Sequence, residues 1–296
     1  MGMVATPKPT PAEGPGAVSR HFVSDFEDWR IVTVHQLQHY LRTNRFFGLL
    51  TFVAVISALT LSFEVSAGVA AVRVEQLYRS SEYLSNYLSN AGLWIILAAA
   101  FFGGDALSVD FSTGAGYYML VLPVRRSVLL AGRYTAAVLV TLAIAGVYYV
   151  FATAGAVYFF GGASVPWAGL AESLGVSALF ALAALSVAFC VSSFFRSPAA
   201  GVLVTVLALY VGFVTLATVF ELAGIEPWFS LQYAGGAIDA VLDTDFIHQQ
   251  TVPLGADQYY IVWVATVVEG IEIMAAYIAA FLPLSVYLYH RKESTG

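Results

Sequence analysis

The chain has 296 residues and a net charge of −6; 59% of its residues are hydrophobic and 11% are charged. Its mean hydropathy is +0.78. Soluble domains carry about 25% charged residues, so this composition excludes an ordinary soluble protein and indicates an integral membrane protein. A single cysteine, Cys190, excludes a disulfide within the chain and a cysteine-based metal cluster.

The N-terminal region divides into a tail and a helix. Residues 1–20 are rich in Pro, Gly and Ala, and we predict that they form a disordered cytoplasmic tail. In residues 21–45, Phe26, Trp29, Leu37 and other apolar residues fall along one helical stripe. An amphipathic helix that leads into a membrane span is expected to lie in the inner headgroup layer.

Six apolar segments follow. A helix needs about 20 mostly apolar residues to cross about 30 Å of hydrocarbon. The segments that meet this condition are about 46–65, 91–109, 134–160, 170–195, 199–222 and 260–289. They predict an all-α polytopic membrane protein whose membrane domain covers residues 46–290. Between the last two spans, residues 223–259 contain apolar pieces broken by Gly235, Gly236 and Pro253, which predicts short re-entrant or surface helices on the outer side.

The basic residues predict the orientation. With the N-terminus inside, 11 of the 13 Lys and Arg residues lie on the inner side, and only Arg73 and Arg79 lie outside. This asymmetry follows the positive-inside rule. We therefore expect a multi-pass protein of the plasma (inner) membrane with both termini in the cytoplasm, including a short tail at 291–296.

The segment between the second and third spans combines a turn, acids and bases. It reads FFGGDALSVDFSTGAGYYMLVLPVRR over residues 101–126. An ionised Asp105 at mid-membrane would cost about 2.5–3.5 kcal/mol, which places it near an interface or a polar cavity. Asp110 and Pro123 bound a stretch of about one short amphipathic helix. The predicted topology makes residues 106–133 a structured cytoplasmic loop that a cytoplasmic partner can grip.

The same loop resembles the signature of ABC-2-type permeases, the transmembrane subunits of ATP-binding-cassette exporters. That signature is an acidic residue, a Gly-Thr-like step, a leucine-rich helix, a P-V-x-R sequence and a G-K pair. This chain has Asp110 where the family usually has Glu, and Arg133 where it usually has Lys. The resemblance extends to the amphipathic helix, the six spans and the long segment before the sixth. The residues that carry it are Asp105, Asp110, Phe111, Gly114, Leu122, Pro123, Val124, Arg125, Arg126, Gly132 and Arg133.

The resemblance implies a permease that moves an unidentified substrate, in the export direction, by ATP hydrolysis on separate subunits. It implies two copies of a cytoplasmic ABC ATPase that bind ATP and Mg, and a second permease copy that completes a homodimer. Membrane lipids surround such a protein, and no nucleic acid is expected. The resemblance assigns coupling to the ATPase to Asp110, Phe111, Gly114, Leu122, Pro123, Arg125 and Arg126. We expect Asp105 and Arg133 to brace the coupling loop.

The lysines support a separate ATPase. A phosphate loop needs Gly-x-x-x-x-Gly-Lys-Ser/Thr because its lysine reaches the outer phosphates. The two lysines of this chain are Lys8 and Lys292, and neither stands in such a sequence. We therefore expect no nucleotide site and no cofactor in this chain, and we assign it no catalytic residue.

Acidic residues near the predicted outer side leave two readings open. Glu269 and Glu272 lie on one face of the sixth span, where carboxylates could line a path for a cation or a substrate. They could instead be hydrated structural groups near the surface. Asp239, Asp243 and Asp245 lack the glycine and the closing glutamate of a calcium loop. We predict that they form a solvated acidic face and that the chain has no metal site.

Two other function classes remain as alternatives. A non-transporting membrane scaffold or immunity protein would have the same composition and would stimulate no ATPase. An intramembrane aspartyl protease would use Asp105 and Asp110 as its acid and base. Such sites need aspartates on facing spans, whereas these two are only five residues apart.

Overall fold

The computed structural model describes residues 25–74, 77–109, 125–243, 247–253 and 259–294. Six of its helical stretches are long and apolar enough to cross a membrane, which confirms the predicted number of spans. They are Asn44–Val69, Ser80–Gly103, Arg126–Phe160, Trp167–Phe194, Pro198–Leu222 and Val267–Arg291. The chain is therefore a helical, multi-pass membrane protein. The predicted tail at 1–20 lies outside the described residues.

The helices take the following bounds. In chain order they are α1 (Asp25–Arg42), α2 (Asn44–Val74), α3 (Ser80–Leu88), α4 (Ala91–Gly103), α5 (Arg126–Phe160), α6 (Trp167–Phe194), α7 (Pro198–Val206), α8 (Phe213–Leu222), α9 (Leu231–Gly235), α10 (Ala237–Ala240) and α11 (Val267–Ser294). Helices α3 and α4 together form the second span. A π-helical turn, Leu207–Gly212, joins α7 to α8 and completes the fifth span. Helix α1 lies within residues 21–45, the segment for which the sequence predicts an amphipathic connecting helix.

The second and third spans begin earlier than predicted. The second span starts at Ser80 rather than 91, because α3 is polar in composition but buries Tyr83, Leu84 and Leu88. A hydropathy threshold does not detect such a helix. The second span also ends at Gly103 rather than 109. Helix α5 begins at Arg126, so residues 126–133 are the first turns of a helix rather than part of a loop.

A β-hairpin occupies part of the segment before the last span. Strands β1 (Gln249–Pro253) and β2 (Tyr259–Trp263) pair antiparallel, with Gln249 opposite Trp263 and Pro253 opposite Tyr259. The sequence predicted helices here, and only the short α9 and α10 agree with that. The sixth span starts at Val267 rather than 260. The run YYIVW is as apolar as a span, but its aromatic and β-branched residues favour a strand.

Helix α6 lies at the centre of the bundle. It packs against α4, α5 and α11, and many of its side chains are small and fully buried. Small residues let helix backbones approach closely in a membrane, where packing replaces the hydrophobic effect as the driving force. Helices α2, α8 and α11 lie at the edges and expose apolar side chains, as expected of surfaces that face lipid or another chain.

The bundle has two ends that carry different elements. The basic side is the end that holds α1, the C-terminal end of α4 and the N-terminal ends of α5 and α7. The hairpin side is the opposite end, which holds α3, α9, α10 and the β-hairpin. The sequence predicts that the basic side faces the cytoplasm.

Candidate functional site

Helix α1 is attached to the start of α5 on the basic side. A Cβ atom placed on Gly132 would lie 2.7 Å from Val32 Cγ1 and 3.2 Å from the Trp29 carbonyl oxygen. Glycine at this position therefore allows α1 to approach the α5 backbone closely. The Trp29 indole Nε1 also donates a hydrogen bond to Thr135 Oγ1 at 3.3 Å. These contacts fix α1 against the third span immediately after the predicted coupling loop.

An ion pair holds the turn that follows α4. Asp105 is buried and pairs with Arg45 at the start of α2, whose side chain is 55% exposed. Burial raises the pKa of Asp105 above its ordinary value, and the Arg45 guanidinium opposes that rise. The Ser108 hydroxyl donates to the Asp105 carbonyl oxygen at 3.2 Å. The carboxylate thus connects the first span to the chain that leaves the second.

Arg133 and Ser192 hold the residues that come next. The buried Arg133 donates from Nη1 to the Ala106 carbonyl oxygen at 3.0 Å. Ser192 of α6 accepts hydrogen bonds at Oγ from the backbone N–H groups of Leu107, at 3.1 Å, and Ser108, at 3.2 Å. Backbone groups that leave a helix need such partners when they are buried. The turn is therefore bonded to the third and fourth spans.

Two glycines bring the fifth span against the same turn. A Cβ atom on Gly201 of α7 would lie 2.2 Å from the Gly104 carbonyl oxygen, and one on Gly104 would lie 2.9 Å from Val202 Cα. Both contacts involve backbone atoms, which cannot rotate away as side chains can. In addition, the Tyr40 hydroxyl of α1 donates to the Phe102 carbonyl oxygen at 2.9 Å. The end of α4 is therefore enclosed by α1 and α7.

The predicted coupling residues divide between described and undescribed parts of the chain. Those that lie outside the described residues are Asp110, Phe111, Gly114, Leu122 and Pro123. Arg125 is exposed and pairs through Nη1 with Asp25 Oδ2 at 2.7 Å, at the start of α1. Arg126 begins α5. The two predicted bracing residues, Asp105 and Arg133, both contact neighbouring helices at the start of the loop.

Sequence reasoning did not identify Arg45, Asp25 or Ser192 as parts of this site. Arg45 was visible as an inner basic residue, but no local pattern connects it to Asp105, which lies 60 positions later. Ser192 stands in an apolar run and resembles any small residue of a buried helix. These contacts arise from packing between spans, so they have no signature at short range in the sequence.

On the hairpin side, Glu269 belongs to the first turn of α11. Its Oε2 accepts the Thr266 backbone N–H at 2.9 Å, and the Thr266 hydroxyl accepts the Glu269 backbone N–H at 3.3 Å. This is the reciprocal arrangement of a capping box, which satisfies two free donors at a helix start. Glu272 is exposed one turn later. A groove of about 750 Å³ opens between α5 and α6, and neither glutamate lines it.

Asp239 of α10 departs from the predicted solvated acidic face. The carboxyl group is half-buried. Burial raises its pKa to about 7, the backbone N–H of its own residue lowers it, and the charge of Asp243 raises it further. Asp245 lies outside the described residues. One of the three aspartates that the sequence predicts to be solvated therefore has a carboxyl group that is partly shielded from water.

Comparison with known proteins gives no assignment. No protein-family model matches the chain, and no curated protein matches it.

Proposed function

We propose that this chain is the permease subunit of an ABC exporter, and that residues 110–126 couple it to a separate cytoplasmic ATPase. The observation that carries the proposal is the attachment of residues 104–108, through which the chain enters this loop. Asp105 pairs with the first span, Arg133 and Ser192 hold the turn to the third and fourth spans, and Gly201 packs the fifth span against it. A displacement of the loop is therefore passed to five of the six spans.

The mechanism needs contacts that differ between two states of the ATPase. A ligand or partner shifts a conformational equilibrium only by its difference in affinity for the two states. ATP-driven closure of two ATPase subunits would move two coupling loops, one from each permease copy. Because buried hydrogen bonds and backbone contacts attach each loop to its bundle, the spans move with it. Access to the substrate path then switches from one side of the membrane to the other.

Two features of the sequence also support the proposal. The resemblance to ABC-2-type permeases covers the loop and the order of the spans. Neither lysine of the chain stands in a phosphate-loop sequence, so the energy for active transport would enter from another polypeptide. The cargo is a substrate that the sequence leaves unidentified.

Co-purification tests the proposal. The tagged chain is extracted from its native membranes in mild detergent, and Mg²⁺-dependent ATP hydrolysis and the bound polypeptides are measured. The test variant replaces residues 111–122 with a Gly-Ser linker of equal length, and the control variant replaces residues 254–258 in the same way. We expect an ATPase with a phosphate loop to accompany the wild type and the control, and to be lost from the test variant.

The proposal is contradicted if no such ATPase accompanies the wild type, or if it binds the test variant equally well. A scaffold would retain its partners without stimulating ATP hydrolysis in liposomes. An intramembrane protease would cleave a peptide, and Asp105→Asn would abolish that cleavage.

A further inference from the structure

A cluster of metal-ligating side chains lies on the hairpin side. Glu226 follows α8, His248 precedes β1, and Glu269 is in the first turn of α11. One ligand atom from each of these three residues lies within 4.8 Å of the others. The three residues come from separate elements, so the tertiary fold brings them together.

The histidine is arranged as a metal ligand. His248 Nδ1 lies 2.9 Å from the Val264 carbonyl oxygen, and a carbonyl can only accept a hydrogen bond. Nδ1 therefore carries a proton, and in the neutral form of the ring the lone pair would be on Nε2. Histidines that bind metals usually donate their other N–H to a carbonyl or carboxylate in this way, which fixes the tautomer. The ring also packs edge-on against Trp263, with centroids 5.4 Å apart.

The two carboxylates share one donor. The Tyr233 hydroxyl lies 2.6 Å from Glu226 Oε1 and 3.4 Å from Glu269 Oε2, and it has a single proton for both. Among the residues that the structure describes, no Lys or Arg forms an ion pair with either glutamate. Glu269 Oε2 also accepts the Thr266 backbone N–H at 2.9 Å and lies 3.9 Å from His248 Nδ1, so the two carboxylates are only partly compensated and a bound cation would balance their remaining charge.

We infer that Glu226, His248 and Glu269 bind a divalent transition-metal ion of the Zn²⁺ class. Imidazole nitrogen and carboxylate oxygen are both ligands of Zn²⁺, whereas Ca²⁺ and Mg²⁺ prefer oxygen ligands alone. Donor atoms on one Zn²⁺ lie about 3–4 Å apart, so small side-chain rotations bring the three onto one ion. His248 and Glu269 are 34% and 40% exposed, which allows the ion to enter from solvent.

The ion would join three elements that are otherwise connected by long segments. His248 positions the hairpin, Glu269 belongs to the sixth span, and Glu226 belongs to the connection that leaves the fifth. Three protein ligands leave a fourth position for water. The site thus acts as a clamp between the hairpin and the last two spans. This inference does not depend on the proposed coupling to an ATPase.

Zinc binding by the purified chain tests the site. The full-length protein, with its tag removed and after treatment with a chelator, is titrated with Zn²⁺ in competition with a coloured zinc indicator. We expect one equivalent of Zn²⁺ to bind the wild type. His248→Ala and Glu226→Gln should each weaken that binding by about tenfold or more. Addition of Zn²⁺ should raise the melting temperature of the wild type and leave the melting temperatures of these two variants unchanged.

The chain offers matched controls. His290→Ala removes another histidine whose Nδ1 contacts a backbone carbonyl, and Glu272→Gln removes a carboxylate one turn from Glu269. Both controls should bind Zn²⁺ like the wild type. The inference is overturned if the wild type binds none, or if the controls lose as much affinity as the test variants. Glu226→Gln keeps the test decisive if His248→Ala does not fold.

Discussion

At the scale of single residues, the buried charged groups that the structure describes each have a defined partner. Asp105 is buried beside Arg45, and Arg133 is buried against a backbone carbonyl. A buried charge without a partner is costly, so these positions tolerate few substitutions. The same principle predicts how stability responds when a partner is removed.

Arg45→Gln should destabilise the protein by about 1–2 kcal/mol at neutral pH. It leaves the Asp105 carboxylate without its guanidinium, although solvent weakens the pair because Arg45 is 55% exposed. Asp105→Asn in the same background should recover part of the loss. Thermal melting of the wild type, both single variants and the double variant in detergent measures the coupling. If the destabilisation of the double variant equals the sum of the two single effects, Arg45 and Asp105 do not interact directly and the ion pair is contradicted.

Asp239 should make stability depend on pH. Its pKa in the folded protein is raised to about 7, so the folded state holds the proton more tightly than the unfolded state does. The resulting stability is present at acidic pH and is lost as pH rises from about 4 to about 7. The amide side chain in Asp239→Asn does not titrate. The melting temperature of this variant should therefore be several degrees above that of the wild type at pH 8, and the two melting temperatures should be similar at acidic pH.

Melting curves between pH 4 and pH 8 test this, with Glu172→Gln as an exposed control. The control should follow the wild type at every pH. Parallel curves for Asp239→Asn and the wild type would show that Asp239 remains solvated when folded.

At the scale of elements, close packing of helix backbones determines the geometry of the basic side. Helix α1 reaches α5 because Gly132 has no side chain, and α7 reaches the end of α4 because Gly104 and Gly201 have none. Such contacts are sensitive to a single methyl group. They also fix the positions of described residues before and after the predicted coupling loop.

Gly132→Ala should destabilise the attachment of α1 by about 1–3 kcal/mol, because the new Cβ would overlap Val32. Gly146→Ala is the matched control in the same helix, since nothing lies within 4 Å of a Cβ placed there. The control should be neutral or slightly stabilising, because alanine favours a helix. Thermal melting measures the stabilities of the two variants. Adding Val32→Ala to Gly132→Ala should restore part of the lost stability, because it removes Val32 Cγ1, which the new Cβ would overlap. Equal melting of both glycine variants would contradict the close approach.

Hydropathy predicts elements well where a span is uniformly apolar. The span at Pro198–Leu222 is an example, since its predicted bounds were 199–222. Prediction failed for α3, whose polar residues hide an apolar face, and for β2, whose apolar run resembles the start of a span. Contacts such as Asp105 with Arg45 could not be predicted, because no periodicity relates residues on different spans. The cluster of Glu226, His248 and Glu269 was missed for the same reason.

At the scale of the whole molecule, the two sides of the bundle serve different purposes in this account. On the basic side, residues 104–108, which follow the second span, contact the first, third, fourth and fifth spans, and we propose that a force from the ATPase enters there. The hairpin side carries the acidic cluster and the β-hairpin, and is suited to bind a cation. Coupling to an ATPase requires the basic side to face the cytoplasm, where ATP is available, whereas binding of a cation on the hairpin side does not depend on the orientation.

Site-directed labelling tests that orientation directly. A cysteine replaces Ala115 in the predicted coupling loop, or the exposed Ile247 on the hairpin side, in a Cys190→Ala background. Intact cells and opened membranes are treated with a maleimide that does not cross membranes. We predict that the cysteine at 115 reacts only after the membranes are opened, and that the cysteine at 247 reacts in intact cells. Reaction at 115 in intact cells would place the loop outside and contradict coupling to a cytoplasmic ATPase.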